Sequence, residues 1–415
     1  MTITTSLSLR LWAAAATVLA ASVVLAPAVR SEDQSKTDKA CPTAGAWLEP
    51  ASGRQLAHSQ VIAEAAEKAV VLLGETHDNA EHHRWQLSVL AGLRARRGAL
   101  IVGFESFPRR VQPVLDSWVQ GGQSAEAFLE EAEWPEVWAF DPGLYMPLFD
   151  FVRMHRLPMI ALNVERKLVS KVGQEGWDAV PAEEREGLSD PAPASEAYRR
   201  SLAEVYRQHS RARTEHSEGE EKPEEPSLEE TMVEPAFGRF VAAQLTWDRA
   251  MAEALATAHR RTGNPTVVGI IGSGHLRHRH GVPHQLADLG IEDVTVFLPV
   301  DSESACESQE AGVADALFVV EERSEPQAPR PRLGVLIETV DAQVLIRQVS
   351  EGSVAATAEL LAGDVVSEAA GVPLDSHAQL IEIVQRQAPG TWLPLTVERD
   401  GETRQIVAKF PKAFE

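Results

Sequence analysis

The sequence predicts an α/β fold, a mainly parallel sheet with helices on both faces, followed by a small α+β domain. Three observations carry this. From about residue 61 to 303, short apolar runs alternate with helix-like stretches, the pattern of parallel strands joined by crossover helices. From Pro331 onward the pattern changes to short strands and one longer helix. And 415 residues are too many for one ordinary domain.

The chain opens with Arg10 before an apolar run that ends in Ala26-Pro27-Ala28. This small-x-small pattern predicts a signal peptide, residues 1–28, cut after Ala28. The run from Leu11 to Ala28 is also long enough to stay as an uncleaved N-terminal membrane anchor. Either way the expectation is export, to the periplasm or cell envelope. The net charge of -22 argues against nucleic acid and against an anionic membrane surface as partners.

VVLL (70–73) is the first strand of the large domain, broken by Gly74. Asp78 and Glu81 form a capping-box-like pair, which starts a helix near Asn79. ALIVGF (99–104), LPMIAL (157–162), TVVGII (266–271) and VTVFLP (294–299) are the further strands. A long helix runs from about Glu234 to Arg261, its apolar face made by Phe237, Phe240, Val241, Met251 and Leu255. Gly263-Asn264-Pro265 stops it.

Within this domain an acidic insertion, about 212–230, contains eight Glu and one Lys between 215 and 230 and is expected to be solvated. Residues 304–329 are read as a linker in which ALFVV is a candidate edge element. The second domain spans 330–413, with a helix near Ala378 to Gln387 and a turn at Asp400-Gly401. The two cysteines, Cys41 and Cys306, flank the large domain. In an exported protein they either form a disulfide that staples its ends or remain two buried thiols.

Strand after strand of the large domain finishes on a polar residue: Glu75 and His77, then Glu105, Asn163 and His275. If the strands are parallel, these side chains meet at one edge of the sheet, where open α/β sheets place ligands. Two histidines and two carboxylates there can ligate a divalent metal such as Mn, Co or Zn, or act as a metal-free acid/base set. Any one of them alone is more simply a loop hydrogen-bonding residue. His82 and His83, in the first helical turn, are read as exposed or packing residues; His278, His280 and His284 are placed in a surface loop.

LLGETHDNAEHH, IVGFESF, LYMPLFDFVRMHRLPMIALN, AAQLTWDRAMAEAL and GIIGSGH, in this order and spacing, resemble the ChaN family of haem-binding uptake proteins. That family's superfamily also holds the Tiki peptidases and erythromycin esterases. The resemblance implies an α/β domain in which Gly74 to His77, Gly272 to His275 and Glu105 face one pocket. It implies haem, held in a homodimer as facing pairs with a tyrosine on iron. Tyr145, in GLYMPLFDF, best matches a motif position as that ligand; a helix-packing phenol is the plainer reading. No Cys-x-x-Cys-His is present, which excludes covalent attachment.

PRLGVLIE (331–338) and SEGSVAATAELLAGDVV resemble a PDZ domain of the kind found in bacterial periplasmic proteases. The resemblance implies that the amides of Leu333, Gly334 and Val335 hold a polypeptide C-terminus while a strand edge pairs with its backbone. LLAGDVVSEAAGVPL departs from the usual form at a turn, and a structural PDZ packed on its neighbour is the alternative. Three functions follow: haem or iron uptake or handling, a metal-dependent hydrolase or peptidase, and a binding scaffold with a vestigial pocket.

Overall fold

The computed structural model describes residues 41–214, 226–307, 310–321, 331–340, 343–399 and 401–412. The expected signal segment, most of the acidic insertion, residues 322–329 of the expected linker and residue 330 lie outside the described residues.

Five apolar runs form the parallel heart of the first sheet: β3 (Val70–Glu75), β4 (Leu100–Pro108), β5 (Met159–Asn163), β6 (Thr266–Gly272) and β7 (Val294–Val300). The full order adds β1 (Trp47–Leu48), β2 (Gln55–Leu56) and β8 (Ala316–Val319), giving β2-β1-β8-β7-β3-β6-β4-β5. Strands β3 through β8 pair in parallel; β1 is antiparallel to both its neighbours. The ALFVV patch is therefore a strand between β7 and β1 rather than an edge in a linker. The two-residue strands β1 and β2 are too short to leave a periodic signal.

Alternation along the strands sorts side chains to two cores. Val71, Leu73, Val102, Phe104, Val268 and Ile270 face the helices Ala80–Arg96, Gln112–Gln120 and Pro142–Met154. Val70, Leu72, Ile101, Val267 and Ile271 face the helices Pro235–His259 and Val282–Asp288. Leu72 and Leu73 are both 0% exposed, and burial of each such side chain stabilises by about 1.5–3 kcal/mol. With helices on both faces, every central strand can be apolar throughout.

The helix after β3 begins one residue later than the Asp78 capping box predicts. Asn79 is its cap, accepting from the amides of Glu81 and His82, which leaves Asp78 in the loop. The long helix ends at His259, and Gly263 (φ 89°) and Asn264 (φ 42°) turn the chain through left-handed conformations toward β6.

Strand β4 changes register against β5. Phe104 is opposite Ala161, but Pro108 is opposite Asn163, so more residues are used on β4 than on β5 in this interval. Glu105, Ser106 and Phe107 occupy the irregular stretch. Both cysteines, Cys41 and Cys306, are disulfide-bonded, and the sequence contains no others.

The second sheet, of β9 (Val335–Val340), β10 (Gln343–Val349), β11 (Val365–Ala369), β13 (Trp392–Arg399) and β14 (Glu402–Lys409), is antiparallel in the order β14-β13-β11-β10-β9. The short β12 (Val372–Pro373) pairs with β11. Leu380 and Val384 of the helix His377–Gln385 close its core on Val344, Val366 and Leu395. Asp364, fully buried, is held by Nε and Nη2 of Arg399 at 2.6 and 2.7 Å.

Candidate active site

The carboxyl ends of β3, β4 and β6 bring Glu75, His77, Glu105 and His275 into one crevice. The approach is close. A Cβ placed on Gly74 would lie 2.4 Å from Leu298 and 2.7 Å from Ser273 Oγ, so only glycine fits where β3 passes the turn after β6. A Cβ on Gly272 would lie 2.9 Å from His77 Cε1, 3.2 Å from its Nε2 and 3.4 Å from Glu105 Oε2. The two glycines that open the GxxH motifs thus let the imidazole of one strand and the carboxylate of another share a space. Asn163 Nδ2 donates to the Glu105 carbonyl at 3.2 Å and anchors the irregular end of β4.

Glu75 is 3% exposed and forms the hub of a polar network. Its Oε1 accepts from His77 Nδ1 at 2.9 Å and from the Tyr145 hydroxyl at 2.6 Å; its Oε2 accepts from Gln86 Nε2 at 3.0 Å. His83 Nε2 lies 3.2 Å from Oε2 but off the hydrogen-bonding line. Burial opposes ionisation, yet His77, His83 and Tyr145 together hold the Glu75 carboxyl far below the usual carboxylate range.

With Glu75 ionised, His77 carries its proton on Nδ1 and the lone pair of the neutral ring falls on Nε2. Burial opposes its protonation, but the Glu75 hydrogen bond and the charges of Glu105 and Glu75 raise its pKa. Its side chain is 30% exposed, and it packs against Trp138 and Phe140, with ring centroids 4.7 and 5.4 Å away.

A second carboxylate–imidazole pair faces the first. His275 Nδ1 donates to Asp248 Oδ1 at 2.7 Å, and Asp248 also accepts from the Tyr198 hydroxyl at 2.8 Å. Burial works against the imidazolium, but the charge and hydrogen bond of Asp248, with Glu105 beyond, push His275 up to about 9. It is a cation at neutral pH. His275 Nε2 is 3.7 Å from Glu105 Oε1, and Glu105 Oε2 accepts from the Gly272 amide at 2.6 Å. Two imidazoles, each oriented through Nδ1 by a buried carboxylate, therefore flank Glu105. Such pairs fix the tautomer and raise the donor strength of the other nitrogen.

Tyr145 stands behind this crevice rather than in it. It is 1% exposed, and burial, then the neighbouring Glu75 charge, push its phenol well above the ordinary tyrosine range. Tyr198 is 3% exposed and raised by burial and Asp248. Tyr206 packs in a separate cluster on the rings of Phe237 and Phe240.

The first-turn histidines are both buried. His82 Nδ1 accepts from the Thr76 amide at 2.9 Å; burial, then His83, push it down to about 4. His83, 3% exposed, lies on the Tyr145 ring at 4.2 Å. His278 reaches Glu310 at 3.2 Å and His284 meets the Pro193 carbonyl at 3.0 Å, both away from the crevice. Among the described residues no three His, Cys, Asp or Glu converge in a geometry that holds a metal ion.

Sequence reasoning did not single out Asp248, Gln86, Trp138 or Tyr198. Asp248 had a signal: it falls seven residues after Val241 and seven before Leu255, on the apolar stripe of its helix, and is 0% exposed. Gln86 had one too, three residues after His83 on the same helical face.

In the second domain, β9 is an edge strand, paired only with β10 among the described residues. The carbonyls of Leu333 and Gly334 accept from the amides of Ala355 and Ser350, both at 2.8 Å. Across a trans peptide the next N–H points the opposite way, so the Gly334 and Val335 amides turn outward together. Gly334 has φ +78°. Leu336 on β9 and Ile381 on the helix His377–Gln385 are 61% and 41% exposed, apolar side chains beside the free edge.

A family model described as haem-binding uptake, Tiki superfamily, ChaN matches residues 61–286, and a PDZ model matches residues 331–409. The structure of ChaN of Campylobacter jejuni with cofacial haem is similar at 17% identity and TM-score 0.51, over 66% of this chain and 96% of that one. An HtrA-type protease, AlgW, with a decapeptide overlaps at 22% identity, 21% of this chain, 30% of that one and TM-score 0.20. The HtrA3 PDZ domain bound to a phage-derived ligand overlaps at 20% identity, 19% of this chain, 82% of that one and TM-score 0.17. No curated relative matches the sequence. The chain belongs to the ChaN family of haem-binding uptake proteins in the Tiki superfamily, and it carries a C-terminal PDZ domain.

Proposed function

We propose that this is an exported haem-binding protein that takes up or handles haem or iron, and that its PDZ domain engages polypeptide C-termini. Family membership supports haem as the ligand. One observation in the crevice supports the reading: His77, its side chain 30% exposed, packs on the rings of Trp138 and Phe140. An imidazole with aromatic walls suits an apolar, planar ligand. Haem when bound would supply an iron centre; Trp138 and Phe140 would wall it, and Glu75 would accept the hydrogen bond from His77 Nδ1. Outward amides at Gly334 and Val335 beside a free strand edge support carboxylate capture by β-augmentation. Haemin titration with elemental analysis of one preparation tests the assignment. Saturable binding at micromolar haemin, in protein that carries no stoichiometric divalent metal, is expected.

A second reading, a hydrolase of the same superfamily, is favoured by one specific feature. The pairs Glu75–His77 and Asp248–His275 flank Glu105, an arrangement suited to moving protons on and off a substrate with or without a metal. Stoichiometric metal, and a chelator-sensitive activity lost in both His77→Gln and His275→Gln, would select it over haem binding.

A further inference from the structure

We propose that Thr339 and His377 latch the far end of the PDZ groove shut, so that the domain reads only about the last three residues of a polypeptide and admits a longer stretch by opening the latch. The inference rests on the reading that this domain captures polypeptide C-termini. Strand β9 carries no bulge: its register shifts against β10 between Ile346 and Gln348, so the extra residue lies on β10 and the side chains of β9 alternate without a break. Val335 and Ile337 pack on the core of the domain, and Thr339 shares their face; Leu336 and Val340 are on the other, 61% and 39% exposed. The helix His377–Gln385 covers the inner face, since its Leu380 and Val384 belong to the core on which Val335 and Ile337 pack.

At the start of this helix the strand supplies the cap. Ser376 stands at the N-cap position, yet its side chain makes no cap hydrogen bond. The Thr339 hydroxyl accepts from the His377 amide at 2.8 Å instead, and the same oxygen lies 2.8 Å from His377 Nδ1, to which it can donate its one hydrogen. Two hydrogen bonds thus tie the strand to the helix end across the groove. A partner whose carboxylate is held by the Gly334 and Val335 amides must run antiparallel to β9 along its free edge. Its last side chain then stands beside Val335, the one two residues earlier beside Ile337, and the one four residues earlier beside Thr339. Side chains that face each other across such a pair stand about 4.5–5.5 Å apart at Cβ, a space that His377, bonded to Thr339, occupies. Upstream residues of the partner therefore either hang free or part Thr339 from His377, and parting them leaves the helix end without its cap.

The test is a length series and uses the full chain. A library of octapeptides with randomised endings and free carboxylates is selected on Thr339→Val, and the ending it yields is made as acetylated peptides of three, five and eight residues. These are titrated by calorimetry into the wild type, Thr339→Val, Thr339→Ser and His377→Ala, with thermal melts to show that each variant is folded. The wild type should bind all three lengths with equal affinity, because its upstream sites are shut. Thr339→Val keeps the branched shape and loses the hydroxyl. It should bind the shortest peptide as the wild type does and the longer two about five-fold more tightly, since its free domain has no cap left to give up. His377→Ala should shift in the same direction by less, because the bond from the amide remains, and Thr339→Ser should match the wild type. Affinity that climbs with length in the wild type, or length that gains nothing in Thr339→Val and His377→Ala, would overturn the latch and leave peptide capture standing. Failure of every chain to select or bind a free C-terminus would remove both.

Discussion

Replacing Asp248 by Asn should release His275 from its imidazolium state. The two side chains are 2.7 Å apart with Asp248 fully buried, and the imidazole is pushed up to about 9 from an ordinary 6.5. That gap corresponds to about 3 kcal/mol at 1.36 kcal/mol per pH unit. Because the folded pKa is raised, the contribution is complete below about pH 6.5 and is lost as pH climbs through about 9. Without the carboxylate, only the charge of Glu105 offsets burial, so the variant's His275 should titrate well below the wild-type value. The assay is NMR titration of the histidine Cε1–H signals, with His275 assigned by its absence in His275→Gln. Urea unfolding across the same pH range provides the energetic check: wild-type stability should fall by up to about 3 kcal/mol more than that of Asp248→Asn between pH 6 and 10. A wild-type His275 that titrates near 6.5, or an unchanged value in Asp248→Asn, would refute the argument.

Gly272→Ala should leave the fold intact, because its new methyl meets the His77 ring at 2.9 Å rather than backbone, and it should weaken haemin binding by displacing that ring. Thermal melts and haemin titration read the two effects separately. Reduction of the disulfide formed by Cys41 and Cys306 should lower stability by up to about 5 kcal/mol in the loop-entropy model, read as the shift in urea midpoint with reductant. In the PDZ domain, peptides with free C-termini should bind and amidated ones should not, as calorimetry would show. Gly334→Ala should destabilise the domain by about 1–3 kcal/mol, since φ is +78° and the added Cβ would stand 2.3 Å from Ser353 Cβ.

The parallel sheet was legible because each central strand is a continuous apolar run, and runs of that kind are buried on both faces whatever the loops do. The four strand-end residues were legible for the same reason: a polar residue directly after such a run has one place to go. What the sequence hid was the partner of each. Glu75 and His77 are two residues apart, but Glu75 meets Tyr145 across 70 positions and His275 meets Asp248 across 27. The family resemblance puts Tyr145 forward as a ligand because GLYMPLFDF best matches a motif position, with a helix-packing phenol as the plainer reading. The mate of its hydroxyl is a carboxylate on a strand. Strands β1 and β2 escaped, and β8 was expected only as an edge element, because pairing of two to four residues is decided by the neighbours they find rather than by their own periodicity.

The slip in β4 has a consequence for how the domain can change. Val102 and Phe104 are on one face of the sheet, and so is Phe107, three residues on, where strict alternation would place it on the other. The strand therefore switches parity at Glu105 and Ser106. Phe107 joins Phe128, Trp134 and Phe149 in the aromatic core, with ring centroids 5.5 to 6.0 Å away, while Glu105 keeps its place at the crevice. Core and crevice are thus geared together through a single irregular step. Substitutions that resize the Phe107 pocket should be felt at Glu105, and Trp134 and Phe149 of that pocket also pack on Tyr145, the donor to Glu75.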